Sequence, residues 1–380
     1  MENDWLRRLN RIVWPPEVLS ILNRIDHLGY CAYVVGGAVR NHLWECATHD
    51  FDLATNLPQN VLTEWYGDRH PGWRFGMFWA APHVEIAVMR TEWGYADRRH
   101  PDGVQPVDTI EEDLTRRDFS VNAIAIGIRH AAWVPEAVED IKLKRLRAVG
   151  DPYQRFSEDP LRILRLVRLM ARYEAQADLA TWEAARGLNR LGRKVSRERR
   201  LNEWVKFLSA PIAQWPLWHQ AGLLEVMEWP DVTWEGEVFE PTTELTRAYF
   251  FLRRLQLPRG FVEDWVRRWP LPRPWKKTLL EAFRQDDPLN GDYWAWRARQ
   301  GGSTHAFWAH LARAAGMTDA ELQVARLALP IAQLAQEAGI HGREIGHLHA
   351  RIRDAIAYHP DWNTPSRLRQ LAGIDPKVDV

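Results

Sequence analysis

Two acidic residues two positions apart, Asp50 and Asp52 in the stretch DFDLAT, have the type and spacing best suited to chemistry. On an extended strand alternate residues face one side, so the two carboxylates are expected side by side. Two close anions repel unless a cation lies between them, and Mg2+ prefers hard oxygen donors. Two-metal sites hold their ions roughly 4 Å apart and clamp an in-line phosphoryl displacement. Upstream, Gly36 and Gly37 close an apolar run and lead into the short helical stretch AVRNHLWEC. Such a turn offers unblocked backbone N–H groups to phosphate, and Arg40, one turn on, adds a charged fork. Taken singly, a D-x-D is most often a solvated strand face and a glycine pair merely a turn. Their adjacency is what predicts a nucleotidyl-transfer site.

Two further constellations follow. In EDLTRRDFSVNAIAI, Arg116, Arg117, Asp118 and Asn122 precede an apolar run. Arginine and asparagine here suit a triphosphate and a ribose hydroxyl, and the plain alternative is a capping Asp118 beside a surface arginine pair. In RFSEDPLRILRLVRLMARY, Asp159 and Arg162 stand three apart, so they are expected to touch on one helix face, with Arg165 and Arg168 continuing the stripe. The plain alternative is an exposed ion pair worth about 0.3 kcal/mol.

The elements that must position these residues are mixed at first and helical later. PPEVLSILNRIDHLGY reads as an amphipathic helix, entered at its prolines and stopped near Gly29. CAYVVG, DFDLAT, VEIAVMR and RLRAV read as strands. TEWGYADRRHPDGVQPV is polar and rich in turn residues, which predicts a long mobile loop. From about Asp159 onward no strand is expected. The chain of 380 residues is long enough for several packed units, and its formal net charge of zero gives no global sign of a nucleic-acid partner. The balance is local: from Leu146 to Val205 there are 13 Lys and Arg against 8 Asp and Glu. A basic segment in a neutral chain suits a phosphate surface as well as it suits a solvated helix face.

Several classes are excluded. Cys31 and Cys46 are the only cysteines and form no CxxC pair, against a disulfide framework or a thiolate zinc site. No stretch of about 18 uncharged apolar residues predicts a membrane span, and no signal-peptide core opens the chain, so a reducing cytoplasmic location is expected. GLNRLGRKVS mimics a P-loop but has Arg193 where lysine belongs and follows a helical segment. The 21 tryptophans are expected mostly in packing, with a few free to stack on bases.

The ordered set GGAVRN, DFDLAT, RRDFSVNAIAI, LRAVGDPYQRFSEDPLRILRLVRL and SRERRLNEW resembles the class II tRNA nucleotidyltransferases, the CCA-adding enzymes of the bacterial poly(A) polymerase/CCA superfamily. The set spans Val34 to Trp204, and the tail from Gly339 to Leu371 is similar more loosely. The resemblance implies an α+β fold class: a polymerase-β-like head with a small mixed sheet (1–145), then an all-α neck (146–205), body (206–290) and tail (291–380). It implies catalytic, metal-binding Asp50 and Asp52, triphosphate contacts from Gly36, Gly37 and Arg40, and ribose contacts from Arg117, Asp118 and Asn122. Base recognition would fall to Glu158, Asp159 and Arg162, with Arg165 beside them, and Glu198 and Arg199 would brace that helix. It implies template-independent addition of C, C and A to tRNA from CTP and ATP, with two Mg2+ ions, and neither DNA nor a membrane as partner.

Hydrogen-bond chemistry supports the base-reading role. Cytosine and adenine each present a ring-nitrogen acceptor beside an amino donor, which one Arg and one Asp complement together. Uracil and guanine reverse that pattern and would set donor against donor in a desolvated pocket. The family's usual Asp after VR is Asn41 here, Ser120 stands where Thr is common, Arg200 replaces an apolar residue, and FGMFWAAPHVE lacks a Gly-Thr pair. Glu85 is open to two readings, a further metal ligand or a structural acid. The full-length loop disfavours CC-only addition. A-only addition, poly(A) polymerisation and a non-enzymatic RNA-binding protein with an inactive head remain the alternatives.

Overall fold

A computed structural model describes residues 11–93, 103–232, 243–283, 305–314 and 327–374, together with Trp5, Leu9 and Ala298. The chain divides into two units, Met1–Asp231 and Val232–Val380. In the first, helix α1 (Pro16–His27) opens with proline in its first turn and buries Val18, Ile21, Leu22 and Ile25, the stripe that a 3.6-residue period requires. It leads to β1 (Ala32–Val35), buried throughout, and then Gly36 turns the chain into α2 (Gly37–Leu43). Next come β2 (Phe51–Thr55), α3 (Gln59–Tyr66), β3 (Met77–Ala81) and β4 (Val84–Val88). A ribbon of β5 (Arg90–Trp93) and β6 (Gly103–Pro106) precedes α4 (Ile110–Thr115), β7 (Ile124–Gly127), β8 (Ala131–Trp133) and α5 (Ala137–Lys142).

Six of these strands form one sheet in the order β3-β4-β2-β1-β7-β8. β2 runs parallel to β4 and antiparallel to β1, so the sheet is mixed. β4 alternates buried Val84, Ile86 and Val88 with half-buried Glu85 and Ala87, as a strand with one covered face must. The opposite face of β2 buries Leu53 against the head core while Asp52 points the other way.

Beyond the sheet, β9 (Arg145–Leu146) pairs in parallel with β10 (Gln176–Ala177). Between them lie α6 (Pro152–Glu158), capped by Asp151 accepting from the Gln154 N–H at 2.7 Å, and α7 (Leu161–Tyr173). α8 (Leu179–Gly187), α9 (Arg197–Leu208) and α10 (Pro216–Gln220) complete the unit. α9 packs on α7, and its Trp204 and Phe207 are fully buried. The second unit is helical in every described element: α11 (Glu244–Arg254), α12 (Arg259–Arg268), α13 (Arg273–Phe283), α14 (His305–Ala314), α15 (Ile331–Glu337), α16 (Arg343–Tyr358) and α17 (Pro365–Leu371). Leu334, Leu348, Ile352, Ile356 and Leu368 form one of its cores.

The expected α+β head followed by helices is what the chain forms, with three local corrections. β10 is a strand after Asp159, short because it only zips the end of α7 to Arg145 and Leu146. The stretch read as one long loop begins and ends in the β5–β6 ribbon, where Thr91 pairs with Gln105, and residues 94–102 lie outside the described residues. Asp50 precedes β2 rather than lying within it.

Candidate active site

Strand register sets out the site. Directly paired residues run Trp79–Glu85–Asp52–Val35–Ala125 across β3, β4, β2, β1 and β7, and paired residues share a face. Glu85 and Asp52 are therefore neighbours on one face, with Gly36 just past the end of the β1 rung. Gly36 has φ 71°, in the left-handed region. A Cβ there would stand 3.3 Å from Arg117 Nη1 and 3.7 Å from Asp52 Oδ2. Glycine thus allows the turn and keeps the space between a carboxylate and a guanidinium open.

Asp52 makes no hydrogen bond to another side chain among the described residues. The residue keeps solvent-exposed surface, yet its carboxyl is crowded by the surrounding protein. That desolvation, then the negative charge of Glu85, outweighs the nearby Arg117 and Arg165 and holds the Asp52 pKa above the ordinary aspartate value. Asp50 is 85 % exposed and is bonded to His83 Nδ1 at 3.0 Å. Glu85 accepts from His70 Nε2 at 3.1 Å, and the Gly72 N–H donates to His70 Nδ1 at 2.9 Å. With Nδ1 accepting from the Gly72 N–H, Nε2 is the ring nitrogen left to donate to Glu85.

These donors fit a divalent cation. They are all carboxylate oxygens, and crowding of like charge already penalises Asp52 ionisation. Among the described residues no group of three or more His, Cys, Asp or Glu side chains is placed to hold a metal ion by itself. Mg2+ is commonly held by one or two carboxylates with substrate phosphates completing the shell, so an incomplete protein set suits it.

The RRDF segment builds the wall opposite. Asp113, wholly buried, binds Arg116 at 2.7 Å and Arg117 at 2.9 Å. This acid was missed in the sequence, although its spacing of three and four residues before the two arginines was a usable signal. Asp118 accepts from the Phe119 N–H at 2.9 Å, from Asn122 Nδ2 at 2.8 Å and from Arg165 Nη2 at 2.7 Å. Burial would raise its pKa, but the Arg165 charge and these bonds, with Arg162 beyond, hold it well below the usual carboxylate range. Arg165 in turn is raised, first by the Asp118 charge. Asp118 and Asn122 are therefore brought together as expected, but within a buried network.

Arg40 joins that network. Its Nη1 donates to Asn122 at 2.6 Å, and its Nη2 donates to Asn41 at 2.8 Å and Tyr173 at 2.9 Å. Arg40 is 6 % exposed, and burial lowers its pKa. Gly37 faces it, with 3.5 Å from a would-be Cβ to Nη2. Arg40 thus ties α2 to α7 and turns into the junction, whereas a fork opening on the glycine turn was expected.

Asp159 and Arg162 are not partners. Pro160 disfavours helical backbone at the residue before it, and Asp159 is extended at φ −134°. Its Oδ1 caps Leu161 N–H at 3.1 Å, and its Oδ2 accepts from Arg199 at 3.1 Å. Arg162 instead binds Glu158 at 3.1 Å and the Arg116 carbonyl at 3.2 Å. The Arg162 N–H still donates to the Asp159 carbonyl at 3.0 Å, so the two side chains leave one short segment, each held by its own neighbour. Glu198 is exposed in the first turn of α9, while Arg199 makes the brace. Arg168 adds a tie between α7 and α9 through Glu203 at 2.6 Å. Arg200 is buried and bonds the Val226 carbonyl and Glu228, a polar anchor in place of apolar packing.

The family described as Poly A polymerase head domain matches residues 32–147. The CCA-adding enzyme of Lactobacillus helveticus is 30 % identical over 387 residues, covering 93 % of this chain and 96 % of that one. The CCA-adding enzyme of Streptococcus pyogenes is 40 % identical over 201 residues, 51 % of this chain and 50 % of that one. Among solved structures, the Bacillus stearothermophilus CCA-adding enzyme in complex with CTP shares the fold with a TM-score of 0.70, at 24 % identity and covering 95 % and 98 % of the two chains. The Thermotoga maritima CCA-adding enzyme complexed with tRNA has a TM-score of 0.62 at 18 % identity, covering 97 % of both.

Proposed function

The chain belongs to the CCA-adding enzyme family, and we infer that it extends the 3′ end of tRNA by C, C and A. It draws on CTP and ATP, releases pyrophosphate and uses no nucleic-acid template. The observation that carries this reading is the face shared by Asp52 and Glu85 beneath the Gly36 turn, with Arg117 across the gap. Asp50 and Asp52 are proposed as the catalytic, metal-holding pair, and Gly36, Gly37 and Arg117 as the triphosphate cradle. Arg40, Asp118, Asn122 and Arg165 fix the cradle's position and the sugar beside it. Nucleotidyltransferases of this family generally depend on a divalent metal, and two Mg2+ ions are the form proposed here. Asp50 and Asp52 would hold the divalent cation, which would supply a lowered pKa for the terminal 3′-hydroxyl and charge stabilisation for the departing pyrophosphate.

The chain's own residues do the rest. Arg117, anchored by Asp113, offers its free N–H groups to the phosphates. Asp159 and Arg162, held apart by Arg199 and Glu158, present an acceptor and a donor to the edge common to C and A. The four-part division at residues 145, 205 and 290 is proposed as the functional one, with tRNA held by the helical parts. No described helix is long and apolar enough to cross a membrane, and a cytoplasmic location is proposed.

The experiment offers the protein tRNAs ending before the first C, before the second C and before A, with Mg2+ and labelled CTP or ATP. Extension of all three is expected. Extension of the last alone would establish A-only addition, untemplated A tracts would establish poly(A) polymerisation, and no incorporation would leave an RNA-binding protein.

A further inference from the structure

The cradle above seats the incoming nucleotide but not the RNA end that attacks it. Trp79 shares the ladder row with Glu85 and Asp52, two strands from the latter. At the usual strand spacing that is about 10 Å along the catalytic face, within the span of one nucleotide from base to 3′-oxygen. Trp79 is 55 % exposed, whereas Phe78, pointing to the opposite face, is 1 % exposed. The ring is also held. His70 packs against it edge-to-face with centroids 4.9 Å apart, and His70 is itself fixed by Gly72 and Glu85. Just upstream Arg74 lies over the Trp73 ring at 5.7 Å, and Phe75 is 40 % exposed. Trp79 on the edge strand, with Arg74 between Trp73 and Phe75 in the 3-10 turn that precedes it, gives the aromatic-and-arginine composition on which single-stranded bases stack.

We propose that the Trp79 indole stacks on the 3′-terminal base of the RNA strand being extended, and so aims that residue's 3′-hydroxyl at Asp52. The proposal rests on the reading of the Asp52 cleft as the transfer site. Stacking suits this position for a chemical reason. The terminal base changes with every addition, and a π-face accepts any base where a hydrogen-bonding pocket would accept one. Trp79 is a positioning residue: it touches the substrate base but no reacting atom.

The test uses a full-length tRNA carrying 2-aminopurine as its 3′-terminal base, without nucleoside triphosphates, so that binding is read without chemistry. Wild type is expected to quench the fluorophore, Trp79→Phe to retain most of the quench, and Trp79→Ala and Trp79→Leu to lose it. In steady-state assays Trp79→Ala should raise KM for tRNA about 10- to 100-fold, with KM for CTP unchanged. A purely structural tryptophan would move both KM values together and would not be rescued by phenylalanine. An undiminished quench in both non-aromatic variants overturns the proposal, as does failure of wild type to quench. Wild type that quenches but incorporates nothing overturns the transfer reading alone.

Discussion

Asp52 and Asp118 are both aspartates of one unit, and their surroundings drive them in opposite directions. Asp118 accepts from a backbone N–H, an amide and a guanidinium, and its pKa falls. Asp52 faces a second carboxylate, has no such bonds, and its pKa rises. The contrast separates two uses of charge. At the junction of sheet and helices, opposite charges are matched to each other and fix geometry. In the cleft, like charges are gathered and left for a ligand to neutralise. A site of this kind costs stability in the free protein, and the junction beside it offsets that cost.

The sharpest way to break this comparison is to remove one acid from each region. Asp52→Ala should cut incorporation of both CMP and AMP about 10³-fold, since electrostatic groups at the reacting centre carry effects of that size. Its tRNA affinity should be unchanged and its melting temperature should not fall; a variant that still turns over would place the chemistry elsewhere. Asp118→Ala should act the other way, through the fold. It strands Arg165, and a loss of about 3 kcal/mol is expected, the low end for a broken buried pair, because 36 % of the Arg165 side chain reaches water. Denaturant melts measure it, and Asp118→Asn should recover part of the loss.

A smaller effect should fall on choice rather than rate. Arg162→Ala removes a donor from the proposed base edge, and discrimination against UTP should weaken about tenfold, as measured by competing CTP and UTP in single-turnover assays. Undiminished selectivity would transfer base reading to other residues.

The smallest effect is a difference in pH dependence, measured with chelator present. A folded pKa below the unfolded value, about 3.9 for aspartate, means that Asp118 stabilises above that pH and the benefit drains away as pH falls below it. Asp52 has the opposite sign: its raised folded pKa favours the fold at low pH, and that support is withdrawn as pH rises through the folded value. Asp118→Asn should therefore flatten the acid limb of the melting curve, while Asp52→Asn should raise stability near neutrality.

What could be read in the sequence was whatever depends on local order. The glycine turn, the strand of Asp52 and the run of helices after α7 follow from patterns a few residues long. What could not be read was which partner each charge would choose. Asp159 and Arg162 have the spacing of a helical pair, but Pro160 breaks the helix between them and sends each to a different neighbour. Arg40 stands at the right distance from the glycines for a phosphate contact, but Tyr173, 133 residues on, captures it. His70 carries no local signal at all, because its link to Glu85 exists only once β4 has paired. Local patterns name the charged residues, and long-range folding assigns their bonds.

The bond from Arg162 to the Arg116 carbonyl has a consequence for accuracy. The next residue, Arg117, stands over the Gly36 gap, so the group proposed to read the base and the group proposed to grip the phosphates are joined through a single peptide link. An ill-matched base that displaces Arg162 would drag the phosphate grip out of line with it. Errors would then be rejected mainly by slow turnover after entry, rather than by exclusion at the door.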